Sequence, residues 1–269
     1  MSPLDISVIV STYNNPRALG MVLAGLSRQT ITPGEIVIAD DGSGADTRAL
    51  IDGWRARLPC LVQHVWHPDE GFRKCAILNK AIVAAAGEYL VFFDGDCVPP
   101  AHCLAAHAAH AEPQRYLSGG KVLLSPSRSA ALDEAAVLRG DLERFGWWWF
   151  GVGKPRRLFA SRVPGLRQLL DRNVRRPPGW RGENASTFAV HARAVRGFDE
   201  RFGYGYEDAD FGHRLEAIGV IGCSLRYTAP VYHLAHGRPW RTEAVIAANK
   251  ALYDANRAAR VTATPYGLR

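Results

Sequence analysis

The sequence lacks any run of the roughly 20 apolar residues that a membrane-spanning helix requires. Its first five residues also lack the basic and long apolar stretches of a secretory signal. The five cysteines form no Cys-x-x-Cys pair, and their odd number argues against a disulfide framework or a zinc knuckle. These absences predict a cytoplasmic protein whose cysteines are reduced core residues.

Two glycine-rich nucleotide motifs are missing as well. No Gly-x-Gly-x-x-Gly follows the first predicted strand, and no Gly-x-x-x-x-Gly-Lys-Ser/Thr occurs anywhere. The sequence therefore supports neither a dinucleotide-binding fingerprint nor a phosphate loop.

The composition is that of a globular protein, with 269 residues, 47% apolar and 22% charged. This length fits one large domain or two closely packed lobes. The net charge of +7 is unevenly placed, because the segment Arg139–Arg181 has eleven Lys or Arg residues against three acids and alone carries +8. Such a concentration indicates an anionic partner at one surface.

The stretch Tyr89–Pro99 is the centre of the chain. Five apolar or aromatic residues, typical of a strand buried on both faces, lead into Asp94 and Asp96, and Gly95 between them lets the backbone turn. Two acids this close repel each other unless a cation or a donor network neutralises them, so the motif favours a divalent metal. The alternative is a strand-end turn in which one aspartate caps the next helix.

Strands and helices alternate through the first hundred residues, which predicts a parallel sheet with right-handed crossovers. The predicted strands are Ile6–Thr12, Glu35–Ala39, Leu61–Val65 and the strand before Asp94, separated by helices after Pro16, over Asp46–Leu58 and over Arg73–Ala86. Polar residues follow several of these strands at the same end, namely Thr12, Asp40, Asp41 and Asp94. In a parallel sheet they should converge on one cleft.

The second half of the chain is less regular. It predicts a strand over Gly119–Leu124, a strand that ends near Val190, and helices over Ala130–Phe145, Leu166–Arg172, the residues after Glu207, and Thr242–Arg260. Between the first two of these helices lies a loop-rich stretch with three consecutive tryptophans.

Five short motifs occur in order along the chain: Val8–Asn14, Ala39–Ser43, Gly71–Lys74 with Asn79, Phe93–Asp96 and Gly205–Asp210. Each is weak alone, but the ordered set is specific, and it resembles the cytoplasmic, metal-dependent, nucleotide-sugar glycosyltransferases of family 2. The region Gly197–Leu215, with Val231–His233, is also similar to chondroitin-polymerase modules and β1,4-galactosyltransferases. That similarity implies a galactose or N-acetylhexosamine donor.

The resemblance implies an α/β protein with the A-type glycosyltransferase fold, in which a Rossmann-like sheet is continuous with a smaller acceptor-binding part. Residues 1–125 would form the nucleotide-sugar-binding half and residues 126–241 the acceptor-binding and catalytic half, with a basic Trp/Arg insertion at 146–181. Residues 242–269 would form a C-terminal helix and tail.

The resemblance also implies a UDP-sugar site. Thr12, with either Asp40 or Asp41, would bind uracil and ribose, and Arg73 would donate to the nucleotide or the diphosphate. The remaining expected contacts of the nucleotide sugar are Tyr13, Asn14, Asn79, Asp94 and Gly95.

A divalent metal is implied next to the diphosphate. Asp96, with Asp94, would bind Mn²⁺ or Mg²⁺, and either His233 or His236 would complete the site from the far end of the chain. Carboxylates with one imidazole suit Mn²⁺ better than Mg²⁺.

Asp208 is the residue that the resemblance implies as general base of an inverting transfer, with Glu207 orienting the acceptor. An isolated pair of this kind more often consists of helix N-capping acids, but the ordered motifs upstream favour the catalytic role. No Gln-x-x-Arg-Trp follows the acidic cluster, which favours addition of a single sugar over processive synthesis.

The segment Trp147–Arg181 is predicted to form an acceptor-facing and membrane-facing wall, because tryptophan beside arginine suits an anionic membrane surface. The acceptor would be a saccharide or lipid-linked glycan in surface polysaccharide or lipopolysaccharide synthesis, with the protein peripheral on the inner face of the plasma membrane. Core packing and sugar stacking are alternative roles for these tryptophans.

Two rival functions remain open at this point. A sugar-phosphate nucleotidyltransferase would need a Gly-rich basic loop after the first strand, where this chain has Ser11–Asn15. A catalytically silent carbohydrate- or nucleic-acid-binding protein could use the basic segment, but would not need the acidic and histidine motifs. We therefore expect an enzyme that binds no nucleic acid.

Overall fold

The computed structural model describes residues 4–144, 165–174, 178–237 and 240–268. In the first part of the chain, strands and helices alternate as the sequence predicts. These elements are β1 (Ile6–Thr12), α1 (Pro16–Ser27), β2 (Glu35–Asp40), α2 (Ala45–Arg55), β3 (Leu61–Trp66), α3 (Lys74–Ala84) and β4 (Tyr89–Asp94).

Shorter elements make up the rest of the described chain. They are β5 (Cys97–Val98), α4 (Cys103–Ala109), β6 (Arg115–Gly119), β7 (Lys121–Leu123), α5 (Pro126–Ala131), α6 (Glu134–Leu138), a 3₁₀ turn (Asp141–Glu143), α7 (Leu166–Arg172), β8 (Asn184–Phe188), α8 (Ala189–Ala194), α9 (Glu207–Ala217), β9 (Ile221–Leu225), β10 (Val231–His233) and α10 (Glu243–Ala258). The described helices include none that is both long and apolar enough to cross a membrane.

A seven-stranded sheet in the order β3-β2-β1-β4-β8-β6-β9 forms the centre of the protein. Strands β1 to β4 are mutually parallel, which confirms the predicted parallel sheet for this part. The prediction does not extend to β8, which runs antiparallel to both β4 and β6. A second sheet, in the order β5-β10-β7, lies beyond the end of β4.

Apolar side chains cover both faces of the large sheet. In β4, Tyr89, Val91 and Phe93 belong to the core on one face, whereas Leu90 and Phe92 belong to the core on the other. All five are essentially inaccessible to solvent. This alternation confirms that the strand before Asp94 is buried on both sides.

The prediction of one helix over Ala130–Phe145 is wrong. The structure describes this segment as far as Arg144 and shows two short helices, α5 and α6, followed by a 3₁₀ turn. Helix α5 ends because Leu132 adopts an extended conformation, and the Asp133 carboxylate then accepts the Ala136 N–H to cap α6. Gly140, with φ of +77°, ends α6 in turn. The apolar pattern of this segment predicts one continuous helix, but the helix caps and the left-handed conformation of Gly140 divide it into two.

Candidate active site

The carboxyl ends of β1, β2 and β4 open onto one cleft of about 390 Å³. The cleft lining includes these predicted site residues: Thr12, Tyr13, Asn14, Asp41, Asp94, Gly95, Asp96 and His236. The convergence expected from a parallel sheet therefore holds for most of the predicted set.

Asp94 is fixed to the neighbouring strand and to helix α3. Its Oδ1 accepts hydrogen bonds from Ser11 Oγ at 2.8 Å and from Lys74 Nζ at 2.6 Å. The Gly95 N–H donates to the Ser11 carbonyl at 2.7 Å, and a Cβ at Gly95 would lie only 2.7 Å from that oxygen. Glycine is therefore needed where the Asp-Gly-Asp turn packs on β1.

The two aspartates after β2 have different surroundings. Asp40 is fully buried, and its carboxylate contacts the Ser43 N–H and His64 Nε2. Burial opposes the ionisation of Asp40, but these hydrogen bonds outweigh it and lower the pKa. Asp41 lines the cleft, so of the two candidates the structure places Asp41, and not Asp40, where a ligand could reach it.

Asp41 is held in place by two donors. Its Oδ1 lies 2.7 Å from His67 Nε2, and its Oδ2 accepts the Arg73 backbone N–H at 2.9 Å. Burial raises the pKa of Asp41 despite these hydrogen bonds.

The second sheet brings the far end of the chain to Asp96. Strand β10 pairs with β5 so that His233 lies opposite Cys97, and the Leu234 N–H donates to the Asp96 carbonyl at 2.9 Å. As a result, ligand atoms of Asp96, Cys97 and His233 all lie within 4.8 Å of one another. Within the described part of the chain, this is the group whose geometry could accept a metal ion.

The two predicted histidines contact different oxygens of Asp96. His233 Nε2 lies 3.9 Å from Oδ1, and His236 Nε2 lies 2.8 Å from Oδ2. Burial opposes the ionisation of Asp96, but the hydrogen bond from His236 and the charges of both histidines outweigh it and lower the pKa. Burial also lowers the pKa of His233, which favours the neutral imidazole that binds metals. Neither Asp94 nor His236 belongs to the three-residue group.

Glu207 and Asp208 open helix α9, and their charges act on Lys74, which lines the cleft; neither acid is itself among the lining residues. Asp208 Oδ2 accepts the Gly182 N–H at 3.0 Å. Glu207 Oε2 and Asp208 Oδ1 are shielded from solvent and have no hydrogen-bond partner among the described residues. Because an unpaired buried carboxylate oxygen costs about 1–3 kcal/mol or more, two adjacent ones indicate a site that a ligand completes.

Electrostatics link this acidic pair to Lys74. Burial, followed by the charge of Glu207, holds the pKa of Asp208 well above its ordinary range. Burial likewise raises the pKa of Glu207. The positive charge of Lys74 lowers the pKa of both acids, which partly offsets the effect of burial. Burial alone would lower the pKa of Lys74, but the charges of Asp94, Asp208 and Glu207 outweigh it and raise that pKa.

The loop before the acidic pair has a strained backbone that α10 supports. Gly205 and Tyr206 have φ of +95° and +69°, and a non-glycine residue in this region costs about 1 kcal/mol or more. The Asn249 side-chain amide of α10 donates to the Tyr204 and Gly205 carbonyls at 3.1 and 2.8 Å. Helix α10 therefore fixes the entry into α9.

Aromatic rings form one wall of the cleft. Phe72 packs against Tyr204 and Trp240, with ring centroids 5.6 and 6.3 Å apart, and Tyr13 lies 6.2 Å from Trp240. Such faces suit a nucleobase or the apolar face of a sugar.

Some predicted residues are not brought into the cleft. The exposed Arg73 side chain pairs with Glu70, and only the Arg73 backbone contacts Asp41. Asn79 is buried, and its amide bonds both backbone groups of Phe198 and the Glu200 carboxylate, so it joins α3 to the chain before α9. Within Trp147–Arg181, residues 147–164 and 175–177 lie outside the described residues. The predicted wall therefore stays a prediction.

Sequence reasoning assigned no role to Lys74, Asn249 or Cys97. Lys74 stands beside Arg73 in a quoted motif, so the motif was the available signal. Asn249 carries no local signal, and Cys97 was interpreted only as a core residue.

The sequence profile of Glycosyl transferase family 2 matches residues 7–127, which include β1 to β4 and Asp96. Validoxylamine A glucosyltransferase from Streptomyces hygroscopicus subsp. limoneus is 31% identical over 239 residues, covering 80% of this chain and 48% of that protein. Chondroitin synthase from Pasteurella multocida (strain Pm70) is 31% identical over 243 residues, covering 81% and 23%. The chain therefore contains a glycosyltransferase family 2 domain. It spans about half the length of the validoxylamine A relative and less of the synthase.

Solved glycosyltransferase structures share the fold of this chain. S. aureus TarS 1–349 in complex with UDP-GlcNAc has a TM-score of 0.59 at 18% identity, covering 88% of this chain and 60% of that one. Mannosyltransferase PcManGT from Pyrobaculum calidifontis, in complex with GDP-Man and Mn²⁺, has a TM-score of 0.58 at 20% identity, covering 89% and 59%. The A-type glycosyltransferase fold and the similarity to chondroitin polymerases, both expected from the motifs, are confirmed.

Proposed function

We propose that this protein is an inverting, metal-dependent glycosyltransferase that moves a hexose or N-acetylhexosamine from a UDP-sugar to a saccharide or lipid-linked acceptor. The observation that carries the proposal is the pair Glu207 and Asp208, which has unpartnered buried oxygens and acts electrostatically on Lys74 in the cleft that contains Asp96. The pair and the Asp-Gly-Asp turn are the two acidic components that such a transfer needs.

The donor would lie along the ends of β1, β2 and β4. Asp41 offers a carboxylate to the uracil N–H or the ribose hydroxyls, Thr12 and Asn14 offer short polar groups, and the aromatic wall offers ring faces. TarS, which shares the fold, was crystallised with UDP and with UDP-GlcNAc, which makes a uridine donor the first choice to test.

The residues around Asp96 fit a divalent cation. A carboxylate and a neutral imidazole are ligands that Mn²⁺ accepts, and they lie close enough to share one ion. Asp96 and His233 would bind the metal, and Asp94, already bonded to Ser11 and Lys74, would hold the turn. When bound, the metal supplies a positive charge that stabilises the departing diphosphate.

Asp208 would act as the general base. Its carboxylate accepts the proton of the acceptor hydroxyl while that oxygen attacks the anomeric carbon on the face opposite the diphosphate. The bond from the anomeric carbon to the diphosphate oxygen breaks, and UDP leaves with the electron pair, so the configuration inverts. A raised pKa makes Asp208 a stronger base than an ordinary carboxylate at neutral pH. Glu207 would orient the acceptor.

Calorimetric titration of UDP, with Mn²⁺ or with EDTA, tests the donor site. We expect metal-dependent UDP binding that Asp96→Ala weakens by at least about 100-fold, because losing a direct ligand should exceed the 10–100-fold cost of losing an outer-shell contact. Asp52→Ala, which removes an exposed acid of α2, is the matched control.

UDP-galactose, UDP-glucose and their N-acetyl forms then rank the donors. No UDP binding with or without metal would refute the proposal and favour a silent binding protein.

The proposed acceptor and its setting follow from the relatives of this chain. The chondroitin and hyaluronan synthases among the relatives make a saccharide acceptor reasonable, and surface polysaccharide or lipopolysaccharide synthesis is the proposed context. Contact with an anionic membrane through Trp147–Arg181 is tested by flotation on anionic liposomes. Equal lack of binding by the wild type and by Arg156→Ala/Arg157→Ala would refute that contact.

A further inference from the structure

The antiparallel pairing of β5 with β10 places a thiol beside the proposed metal ligands. His233 and Cys97 are directly opposite partners, and directly opposite residues of an antiparallel pair project from the same face of the sheet. Asp96 immediately precedes Cys97. Three different ligating side chains, from two distant parts of the sequence, are therefore brought to one point.

The distances among these side chains are close to those between ligands of one metal ion. Cys97 Sγ lies 3.4 Å from Asp96 Oδ1, and His233 Nε2 lies 3.9 Å from the same oxygen. With metal–sulfur bonds of about 2.3 Å and metal–nitrogen or metal–oxygen bonds of about 2.1 Å, tetrahedral ligands are about 3.4–3.6 Å apart. The three ligand atoms lie within 4.8 Å of one another, so side-chain shifts of up to about an ångström would allow all three to reach one ion.

We propose that Cys97 is a protein ligand of the metal, together with Asp96 and His233, and that the site therefore prefers ions that accept sulfur, such as Zn²⁺ and Co²⁺. This inference rests on the metal site of the proposed function. As the Sγ–metal bond forms, the thiol proton passes to solvent. A mixed oxygen, nitrogen and sulfur site is softer than an all-oxygen site, so Mg²⁺ should bind weakly.

His236 has a different place in this arrangement. It contacts Asp96 Oδ2, whereas the thiol and His233 approach Oδ1. His236 would thus orient the carboxylate from outside the ligand set, as outer-shell partners of metal ligands commonly do.

Another buried cysteine provides a matched comparison. Cys103 is also fully buried in the same apolar core, yet it does not belong to the ligand group found in the described chain. If Cys97 were only a packing residue, its replacement should resemble that of Cys103.

Titration of the full chain with Co²⁺ tests the inference, because a thiolate bound to Co²⁺ gives a charge-transfer band in the near ultraviolet. We expect this band in the wild type and in Cys103→Ala, and not in Cys97→Ser or Cys97→Ala. Because Cys60 and Cys223 are partly exposed, the band is assigned from the difference between the wild type and the Cys97 variants. Circular dichroism and thermal unfolding check that each variant folds.

Affinities provide a second readout. Because serine replaces a proposed direct ligand, Cys97→Ser should weaken Zn²⁺ binding by at least about 100-fold and Mn²⁺ binding, which depends less on sulfur, by a smaller factor. Loss of the soft ligand should thus change the ratio of the two affinities.

Two outcomes would overturn the inference. UDP binding that depends on Mn²⁺, with no charge-transfer band in the wild type, refutes the cysteine ligand and leaves the proposed function intact. Absence of both metal and UDP binding refutes the two together.

Discussion

Replacing Asp208 by asparagine should lower activity and raise stability at the same time. A positioned general base contributes about 10²–10⁴ in rate, which corresponds to about 3–5 kcal/mol of activation free energy. Asparagine keeps the shape of the side chain and its contact with Gly182, but it cannot accept a proton. We therefore expect kcat to fall by at least about 100-fold while UDP binding is unchanged.

The stability change follows from the sign of the pKa shift. Burial and Glu207 hold the pKa of Asp208 in the folded protein well above its unfolded value. The cost to stability therefore grows as the pH rises from the unfolded pKa to the folded pKa, is largest above the folded pKa, and is absent below the unfolded pKa. Removing the charge should stabilise the protein by about 1–2 kcal/mol at neutral pH, which raises the melting temperature by about 2–4 °C per kcal/mol.

Asp210→Asn on the same helix is the matched control. Asp210 forms a fully buried ion pair with Arg214 at 2.8 Å, and breaking such a pair costs about 3–5 kcal/mol. UDP release from a UDP-sugar reports activity, and scanning fluorimetry reports the melting temperature. Wild-type activity in Asp208→Asn, or a loss of stability similar to that of Asp210→Asn, would refute the role given to Asp208.

Two further substitutions examine the surroundings of this carboxylate. Lys74→Met removes the cation that lowers the pKa of Asp208 and Glu207. The acid limb of the plot of kcat/KM against pH should therefore move to higher pH, and an unchanged limb would contradict this role of Lys74. The variant should also be less stable at pH 7, because the folded pKa of Lys74 is raised and its pairing stabilises the protein at every pH below its ordinary pKa. Gly182→Ala would place a Cβ 2.7 Å from Asp208 Oδ1 and should lower kcat by about 10–100-fold with UDP affinity retained; wild-type kcat would show that the site tolerates the shift.

Local sequence patterns predicted the first part of the fold well. The strand Ile6–Thr12 was predicted with its observed bounds, and helix α3 within two residues at each end, because β-branched runs and helical spacing act over a few residues. The antiparallel position of β8 was not predictable in this way. It depends on which strands become neighbours, and residues 184–188 carry no signal of their partners.

The residues of the candidate site were likewise predicted only in part from the local sequence. The order of the motifs indicated the cleft. Whether Asp40 or Asp41 faces it could not be predicted, because that depends on local hydrogen bonds such as those of Asp40 with Ser43 and His64. Arg73 and Lys74 are adjacent in the sequence, and the start of α3 directs the lysine into the cleft while the arginine side chain is exposed. Cys97 lies opposite His233 because β5 pairs with β10, and local patterns do not predict a pairing between strands more than 130 residues apart.

The charge of the cleft explains why a cation should bind before the donor. Asp41, Asp94 and Asp96 line it, and Lys74 is the one lysine or arginine among its described lining residues. Lys74 is already bonded to Asp94, so its charge is largely compensated. A diphosphate entering this cleft alone would meet carboxylates at short range, where few water molecules screen the repulsion. A divalent cation at Asp96 would offset the net negative charge of these four side chains, and UDP should therefore bind weakly in EDTA even though its base and ribose contacts are intact.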